Sequence, residues 1–227
     1  MIAAIVVAAG RGVRFGSDVP KQYLKVNDKP LLSYSLLTLE RHPTVDCIIL
    51  VAAQEWKPYI EQEIIRRFKF RKVAAIVPGG KERQDSVAAG LSFISASHEF
   101  VAVHDAVRPF FSSALLDRVI DGCRSADACI PAIAPRDTVK QVRENFVVQT
   151  LPRETLRLAQ TPQVFRRTVL IEAFQHAKRN NLFGTDEASL IEAAGGNVTW
   201  VEGEEQNLKI TTPLDLKIAE LIVEGNV

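Results

Sequence analysis

Residues Ile2–Ala8, IAAIVVA, run almost directly into Gly10-Arg11-Gly12-Val13-Arg14-Phe15-Gly16. Seven apolar residues with no polar alternation describe a strand covered on both faces, as in a parallel sheet. Glycines just beyond such a strand let backbone N–H groups come close to phosphate oxygens. Working outward, similar runs recur at 46–53, 73–77, 100–103 and 128–134. Between them, residues 31–40, 56–68, 84–95 and 113–124 carry the 3.6-residue periodicity of amphipathic helices. Pro30, Pro58 and Pro109 stand near the starts of three of these, where proline costs little. Strand–helix alternation with short links predicts an α/β, Rossmann-like three-layer sandwich with a mostly parallel central sheet.

The alternation stops between Arg136 and Phe165. There DTVKQV, ENFVVQTL and LRLAQT read as polar extended pieces around a turn at Glu144-Asn145. They are too polar for a central strand, so the segment at about 136–160 is expected to project as a β-arm. Helices resume at 167–179 and 186–194, followed by a strand near 197–201 and a helix from Pro213. No repeat, linker or low-complexity tract divides the chain, which is read as one domain over 1–227.

The composition narrows the function. Of 227 residues, 47% are hydrophobic and 24% charged, which excludes a disordered chain. Lys plus Arg number 28 against 27 for Asp plus Glu, leaving no basic excess for a nucleic-acid polyanion. The basic run Arg66-Arg67-Phe68-Lys69-Phe70-Arg71-Lys72 reads as cations at a helix C-terminus with the two Phe turned inward. The apolar stretch at 1–10 is well short of the ~18 residues of a membrane span and lacks a signal peptide's positive n-region. Cys47, Cys123 and Cys129 show no Cys-x-x-Cys spacing and suit a reducing compartment, so a cytoplasmic location without nucleic acid or membrane partners is expected.

Three segments carry chemistry. The first glycine loop has neither the third glycine of the dinucleotide fingerprint nor the Gly-Lys-Ser/Thr of a Walker A loop. Arg14 inside it and Lys21 at its far end distinguish it from a plain turn and suit a polyphosphate. The second segment is His104-Asp105-Ala106-Val107-Arg108-Pro109, at the carboxyl end of a buried strand, where open α/β sheets bind ligands. A single Asp there can hold phosphate-bound Mg²⁺, while His104 reads as a structural histidine. The third, Gly79-Gly80-Lys81-Glu82-Arg83-Gln84-Asp85-Ser86, can give backbone and hydroxyl contacts to a base; alone it is equally a capped turn. No Gly-x-Ser-x-Gly elbow supports a serine hydrolase.

In order and spacing, these motifs resemble the cytidylyltransferases that act on 2-C-methyl-D-erythritol 4-phosphate in the non-mevalonate isoprenoid route. The resemblance also takes in Pro20-Lys21-Gln22-Tyr23-Leu24, Arg136-Asp137-Thr138, Thr161-Pro162-Gln163, Thr185-Asp186-Glu187-Ala188-Ser189 and Asn207-x-Lys209-x-Thr211. It implies CTP and a sugar-alcohol phosphate as substrates and Mg²⁺ or another divalent cation as cofactor. By position it implies Arg14, Lys21, Arg153 and Lys209 as catalytic cations. Ala8, Ala9, Gly10, Gly12, Gly80, Arg83, Ser86 and Ala106 would line the nucleotide pocket. Asp105, Arg108, Thr138, Arg153 and Thr185 would meet the alcohol phosphate, with Asp105 also at the metal. The arm would embrace a second subunit, giving a homodimer with shared sites. Rival readings are a ribitol-5-phosphate cytidylyltransferase, which shares the loop and the Pro-Lys-Gln element, and a non-catalytic nucleotide- or RNA-binding module.

Overall fold

The computed structural model describes residues 1–10 and 19–225. The expectations for Gly12 and Arg14 lie outside the described residues. Five parallel-sheet strands fall where the apolar runs place them: β1 (Ile2–Ala8), β4 (Val45–Ala52), β5 (Val73–Pro78), β6 (Phe100–Asp105) and β7 (Ala128–Ile133). A short ribbon of β2 (Lys25–Val26) and β3 (Lys29–Pro30), too brief for any periodicity, precedes α1 (Leu31–Arg41). Helix α2 begins at Lys57–Tyr59 and widens into π-type turns over Ile60–Arg66. α3 (Arg83–Leu91) and α4 (Ser113–Arg124) complete the alternation.

The sheet is built outward from β1, which pairs in parallel with β4 on one side and β6 on the other. β5 lies beyond β4. The chain therefore winds one way through β4 and β5, then reverses to β6. Ligands of open α/β sheets sit at such a reversal, outside the carboxyl ends of the strands. The register sets Val7 beside Asp105 at that edge, and the Ala106 N–H donates to the Val7 carbonyl at 3.1 Å.

Two apolar layers cover the faces. Leu32, Leu36, Leu39, Ile60, Ile64, Leu115, Leu116 and Val119 from α1, α2 and α4 pack with Ala4, Val6, Ile48 and Leu50 on one side. On the other, Val87 and Leu91 of α3 pack with Ile5, Val51 and Val103, together with residues from α5 (Arg167–Asn180) and α6 (Glu187–Ala193). Strand residues feed both layers alternately, which is why these strands are apolar throughout. β12 (Val198–Glu202) runs parallel to β7, and α7 (Pro213–Val223) closes the described chain over Val26, Leu31 and Ile210.

The arm is narrower than the sequence suggests. β8 (Val139–Arg143) and β9 (Phe146–Leu151) form an exposed hairpin, with Glu144 at φ 51° in the expected turn. Beyond it the chain returns to the main sheet, correcting the reading of 158–160 as part of the projection and adding a strand over 163–166 that the sequence analysis does not expect. β10 (Leu158–Ala159) pairs with β7, and β11 (Gln163–Arg166) inserts antiparallel between β6 and β7. Val164 and Phe165 are fully buried there. β11 escapes a sequence reading because its apolar content is two residues flanked by polar ones, whose partners lie on other parts of the chain: Gln163 Nε2 donates to Asp186 Oδ2 at 2.8 Å, and Arg166 Nε donates to the Ala126 carbonyl at 3.0 Å.

Candidate active site

A cleft of about 400 Å³ opens at the carboxyl edge of β1 and β6. Ala8, Ala9 and Gly10 form one side, Gly80, Arg83 and Ser86 another, and Lys21, Asp105 and Lys209 its inner end. The family resemblance assigns all nine to ligand contact, from segments spread over about 200 residues. Gly79 and Gly80 are there because their wall is tight, whereas a Cβ on Gly10 would meet no described residue within 4 Å. A Cβ on Gly79 would lie 2.3 Å from the Ala9 Cβ, and one on Gly80 2.2 Å from the Asp85 Cβ. Ser86 Oγ accepts from the Gly80 N–H and donates to the Glu82 carbonyl, both at 3.1 Å, folding that turn onto the start of α3.

Lys21 rides on a 3₁₀ turn, Lys21–Tyr23, anchored from both neighbours. Tyr23 is buried and stacks on Trp56 with ring centroids 4.6 Å apart. The buried Gln22 amide donates to the carbonyls of Ala8 at 2.6 Å and Gly10 at 3.0 Å, tying the end of β1 to the lysine turn. The sequence reading gives Gln22 no role; an amide next to a phosphate-directed lysine is the only signal there, and its burial shows only in the fold.

A second compartment, about 190 Å³, abuts the first and is lined by Arg108, Gln160, Thr161, Gln163, Thr185 and Asp186. Arg83, Asp105 and Lys209 line both spaces and form the wall between them. Arg83 Nε donates to Asp105 Oδ1 at 3.0 Å, and Lys209 Nζ to Asp105 Oδ2 at 2.7 Å. Arg83 Nη1 also donates to both oxygens of Glu187, at 2.7 and 2.8 Å. Glu187 is 1% exposed and carries no role in the sequence reading, although it sits inside the quoted Thr185–Ser189 motif. Burial pushes the Asp105 carboxyl up, but Arg83 and Lys209 outweigh it and hold the group below the usual carboxylate range. Burial likewise opposes charge on Arg83, and Asp105 and Glu187 overcome it, raising its pKa. Glu187 keeps a net upward shift from burial, which Arg83 opposes.

Behind the wall, His104 is fully buried and its imidazole is lowered to about 3 by burial, so it is neutral. The Asp105 N–H donates to Thr161 Oγ at 3.1 Å, and that hydroxyl lies 3.1 Å from His104 Nδ1. The Arg108 carbonyl lies 3.0 Å from Nε2. The network therefore assigns the proton to Nε2, with the Thr161 hydroxyl donating to Nδ1. His104 is structural, as its sequence context suggests. Lys209 is delivered by a strap pinned on both sides. Asn207 Nδ2 donates to the Thr161 carbonyl at 2.9 Å, and the Ile210 N–H to the Val107 carbonyl at 2.8 Å.

The other assigned residues are spread between the smaller compartment and positions outside both. Ala106 is buried behind the cleft and lines neither compartment. Arg108 donates to the carbonyls of Asn207 at 2.8 Å and Ala159 at 3.4 Å. Thr185 is exposed at the rim of the smaller space. Thr138 and Arg153 stand exposed at the base of the arm, lining neither compartment of their own chain. Arg153 Nη1 donates to the Arg136 carbonyl at 3.0 Å. No group of three or more His, Cys, Asp or Glu able to cage a metal occurs among the described residues. A single carboxylate, Asp105, beside Arg83 and Lys209 fits a cation carried mainly by phosphates and water.

Two adjoining clefts at the switch point of a parallel sheet, bordered by two cations and one carboxylate, suit a protein that brings two phosphate-bearing substrates together, as a nucleotidyltransferase does. The sequence matches the model of the 2-C-methyl-D-erythritol 4-phosphate cytidylyltransferase family over residues 2–225, and the chain belongs to that family. It is 42% identical to the enzyme of that name from Geotalea uraniireducens over 99% of this chain and 97% of that one. With its counterpart from Syntrophus aciditrophicus it shares 42% identity over 98% and 96%. The crystal structure of 4-diphosphocytidyl-2C-methyl-D-erythritol synthase from Anaerococcus prevotii superposes with a TM-score of 0.86, at 30% identity and 98% coverage of both chains. The Thermus thermophilus cytidylyltransferase gives 0.80 at 31% identity, covering 99% of this chain and all of that one.

Proposed function

We propose that the chain joins CTP to 2-C-methyl-D-erythritol 4-phosphate, giving 4-diphosphocytidyl-2-C-methyl-D-erythritol and pyrophosphate for isoprenoid precursor synthesis. The observation that carries the mechanism is the shared wall: Arg83, Asp105 and Lys209 border both compartments. The nucleotide belongs on the Ala8–Gly10, Gly80 and Ser86 side, and the alcohol phosphate on the Arg108 and Thr185 side. Across the wall, an oxygen of the alcohol phosphate attacks the α-phosphorus of CTP, forming the new P–O–P link. The bond from that phosphorus to the β-phosphate oxygen breaks, and pyrophosphate leaves.

The attacking oxygen is already anionic at neutral pH, so the reaction needs no general base, and neutral His104 is not asked to act as one. The barrier is the approach of two anions. Lys21 and Lys209, with Arg14 of the glycine loop, neutralise charge there, each such donor typically being worth ~10²–10³ in rate. Asp105 would hold the Mg²⁺, which supplies further neutralisation of the phosphates when bound. Arg83 is engaged by two carboxylates, which favours a role in holding Asp105 over a direct nucleotide contact.

Thr138 and Arg153 meet the alcohol phosphate only across a homodimer. The exposed Val142, Phe146, Val147 and Val148 of the arm favour that assembly. A cytoplasmic setting accords with three free cysteines, two of them buried. Among the described residues, no helix is long and apolar enough to cross a membrane. The basic run offers nucleic acid little: Lys72 Nζ donates to the His42 carbonyl, Arg66 to Gln62 Oε1, and Phe70 is buried. Pyrophosphate release from the four nucleoside triphosphates, each with methylerythritol phosphate and ribitol 5-phosphate, tests the assignment. Turnover with CTP and methylerythritol phosphate is expected, and preference for ribitol 5-phosphate would overturn the substrate assignment.

A further inference from the structure

We propose that Glu187 is a positioning residue, clamping Arg83 onto one oxygen of Asp105 so that Lys209 is the cation that yields the other when a nucleotide binds. The proposal rests on the functional reading above, and it starts from the way the Asp105 carboxylate is already engaged. Both Asp105 oxygens are occupied, Oδ1 by Arg83 and Oδ2 by Lys209. Each oxygen keeps a second lone pair, but a dication brought against Asp105 repels the cation already there, so the more loosely held of the two is the one to give way.

The two partners are held very differently. Lys209 makes one contact to this carboxylate, its side chain is 43% exposed, and its flexible stem can carry the ammonium toward a phosphate. Arg83 is fixed at three points, Nε on Asp105 and Nη1 on both oxygens of Glu187. Glu187 cannot follow a moving guanidinium. It lies in the first turn of α6, whose cap Asp186 accepts from the Ser189 N–H at 3.0 Å and from Gln163 Nε2 at 2.8 Å. Withdrawing Arg83 would also leave a carboxylate with 1% exposure without its charge partner. Lys209 is the cheaper one to move. Glu187 thereby decides which oxygen Asp105 presents and keeps the carboxylate from turning when Lys209 departs.

The test is a double-mutant cycle in the full chain with E187Q, R83Q and the double variant. It is read by calorimetric titration of CTP with and without Mg²⁺ and by kcat for pyrophosphate release. Partners that orient a ligating group typically contribute 10–100-fold. E187Q is expected to cut the Mg²⁺-dependent gain in nucleotide affinity, and kcat, by about that factor, with Mg²⁺-free nucleotide affinity little changed. Because Glu187 acts through Arg83, the double variant should lose no more than R83Q alone. Additive losses, or a folded E187Q within two-fold of wild type in both readouts (about 0.4 kcal/mol), would overturn the proposal. Should E187Q fail to fold, E187D, which retains the charge on a shorter stem, replaces it in a cycle with R83K and is held to the same criterion. Wild-type titration against all four triphosphates separates the two readings. If another nucleotide is preferred, the cytidylyl assignment fails while the cycle is read with that nucleotide.

Discussion

Lowering the pH should expose His104 as the principal histidine burden on this fold. Folded, its imidazole is neutral down to about pH 3, because burial disfavours the cation and both ring nitrogens are engaged in the neutral form. Unfolded, it titrates near 6.5. As pH falls below 6.5 the unfolded chain binds a proton that the folded chain refuses, so stability is lost progressively until about pH 3. One proton at about 1.4 kcal/mol per pH unit amounts to about 3 kcal/mol between pH 7.5 and 4.5, and about 5 over the whole window. Urea unfolding followed by circular dichroism at pH 7.5, 6.0 and 4.5 measures this directly, with His104→Gln as control. Gln keeps a donor toward the Arg108 carbonyl and cannot titrate. It should be less stable than wild type at pH 7.5, yet should lose about 3 kcal/mol less on acidification to 4.5. The carboxylates are common to both proteins, so the difference isolates the ring. Parallel pH profiles for the two proteins would refute the neutral, hydrogen-bonded assignment.

Three further outcomes follow from the site. Arg83→Met strips the buried Glu187 of its partner and should cost about 3–5 kcal/mol, whereas Lys209→Met removes a half-exposed cation and leaves the buried Asp105 paired to Arg83, so it should cost less, about 1; equal midpoint shifts in urea would contradict this difference. Gln22→Glu replaces two donors with a charge facing the Ala8 and Gly10 carbonyls, and should lower kcat/KM for CTP by at least about tenfold; unchanged kinetics would separate the lysine turn from the nucleotide loop. Finally, Lys21→Ala and Arg153→Ala, each nearly inactive, should recover about a quarter of wild-type activity when unfolded and refolded together, since half the dimers are mixed and each carries one intact shared site. Mixed dimers as inactive as their parents would place Arg153 in its own chain's site.

The parts of the fold legible in the sequence are those with repeated, one-directional signals. Ile2–Ala8 and the four apolar runs like it must be covered on both faces, and that requirement alone implies the parallel sheet. Gly10, Lys21 and Asp105 can be named from the residues themselves, because a glycine loop, a cation and a carboxylate at strand ends suit a polyphosphate; Gly80 alone reads equally as a capped turn, and Lys209, outside any strand or helix, is named only through the family resemblance. β11 was hidden because two buried residues, Val164 and Phe165, cannot establish a period. Glu187 was hidden for a different reason. Its significance lies in a bond to Arg83, 104 residues away, and a glutamate at the first position of a helix is unremarkable until that partner is seen.

The claim that two substrates meet across the Arg83–Asp105–Lys209 wall is tested most directly by a crystal structure with Mg²⁺, a non-hydrolysable CTP analogue and methylerythritol phosphate. The account predicts cytosine among residues 8–10, 80 and 86, and the alcohol phosphate beside Arg108 and Thr185. Lys209 should have left Asp105 for the phosphates while Arg83 stays in place. Both substrates in one compartment, or the nucleotide on the Arg108 side, would contradict it.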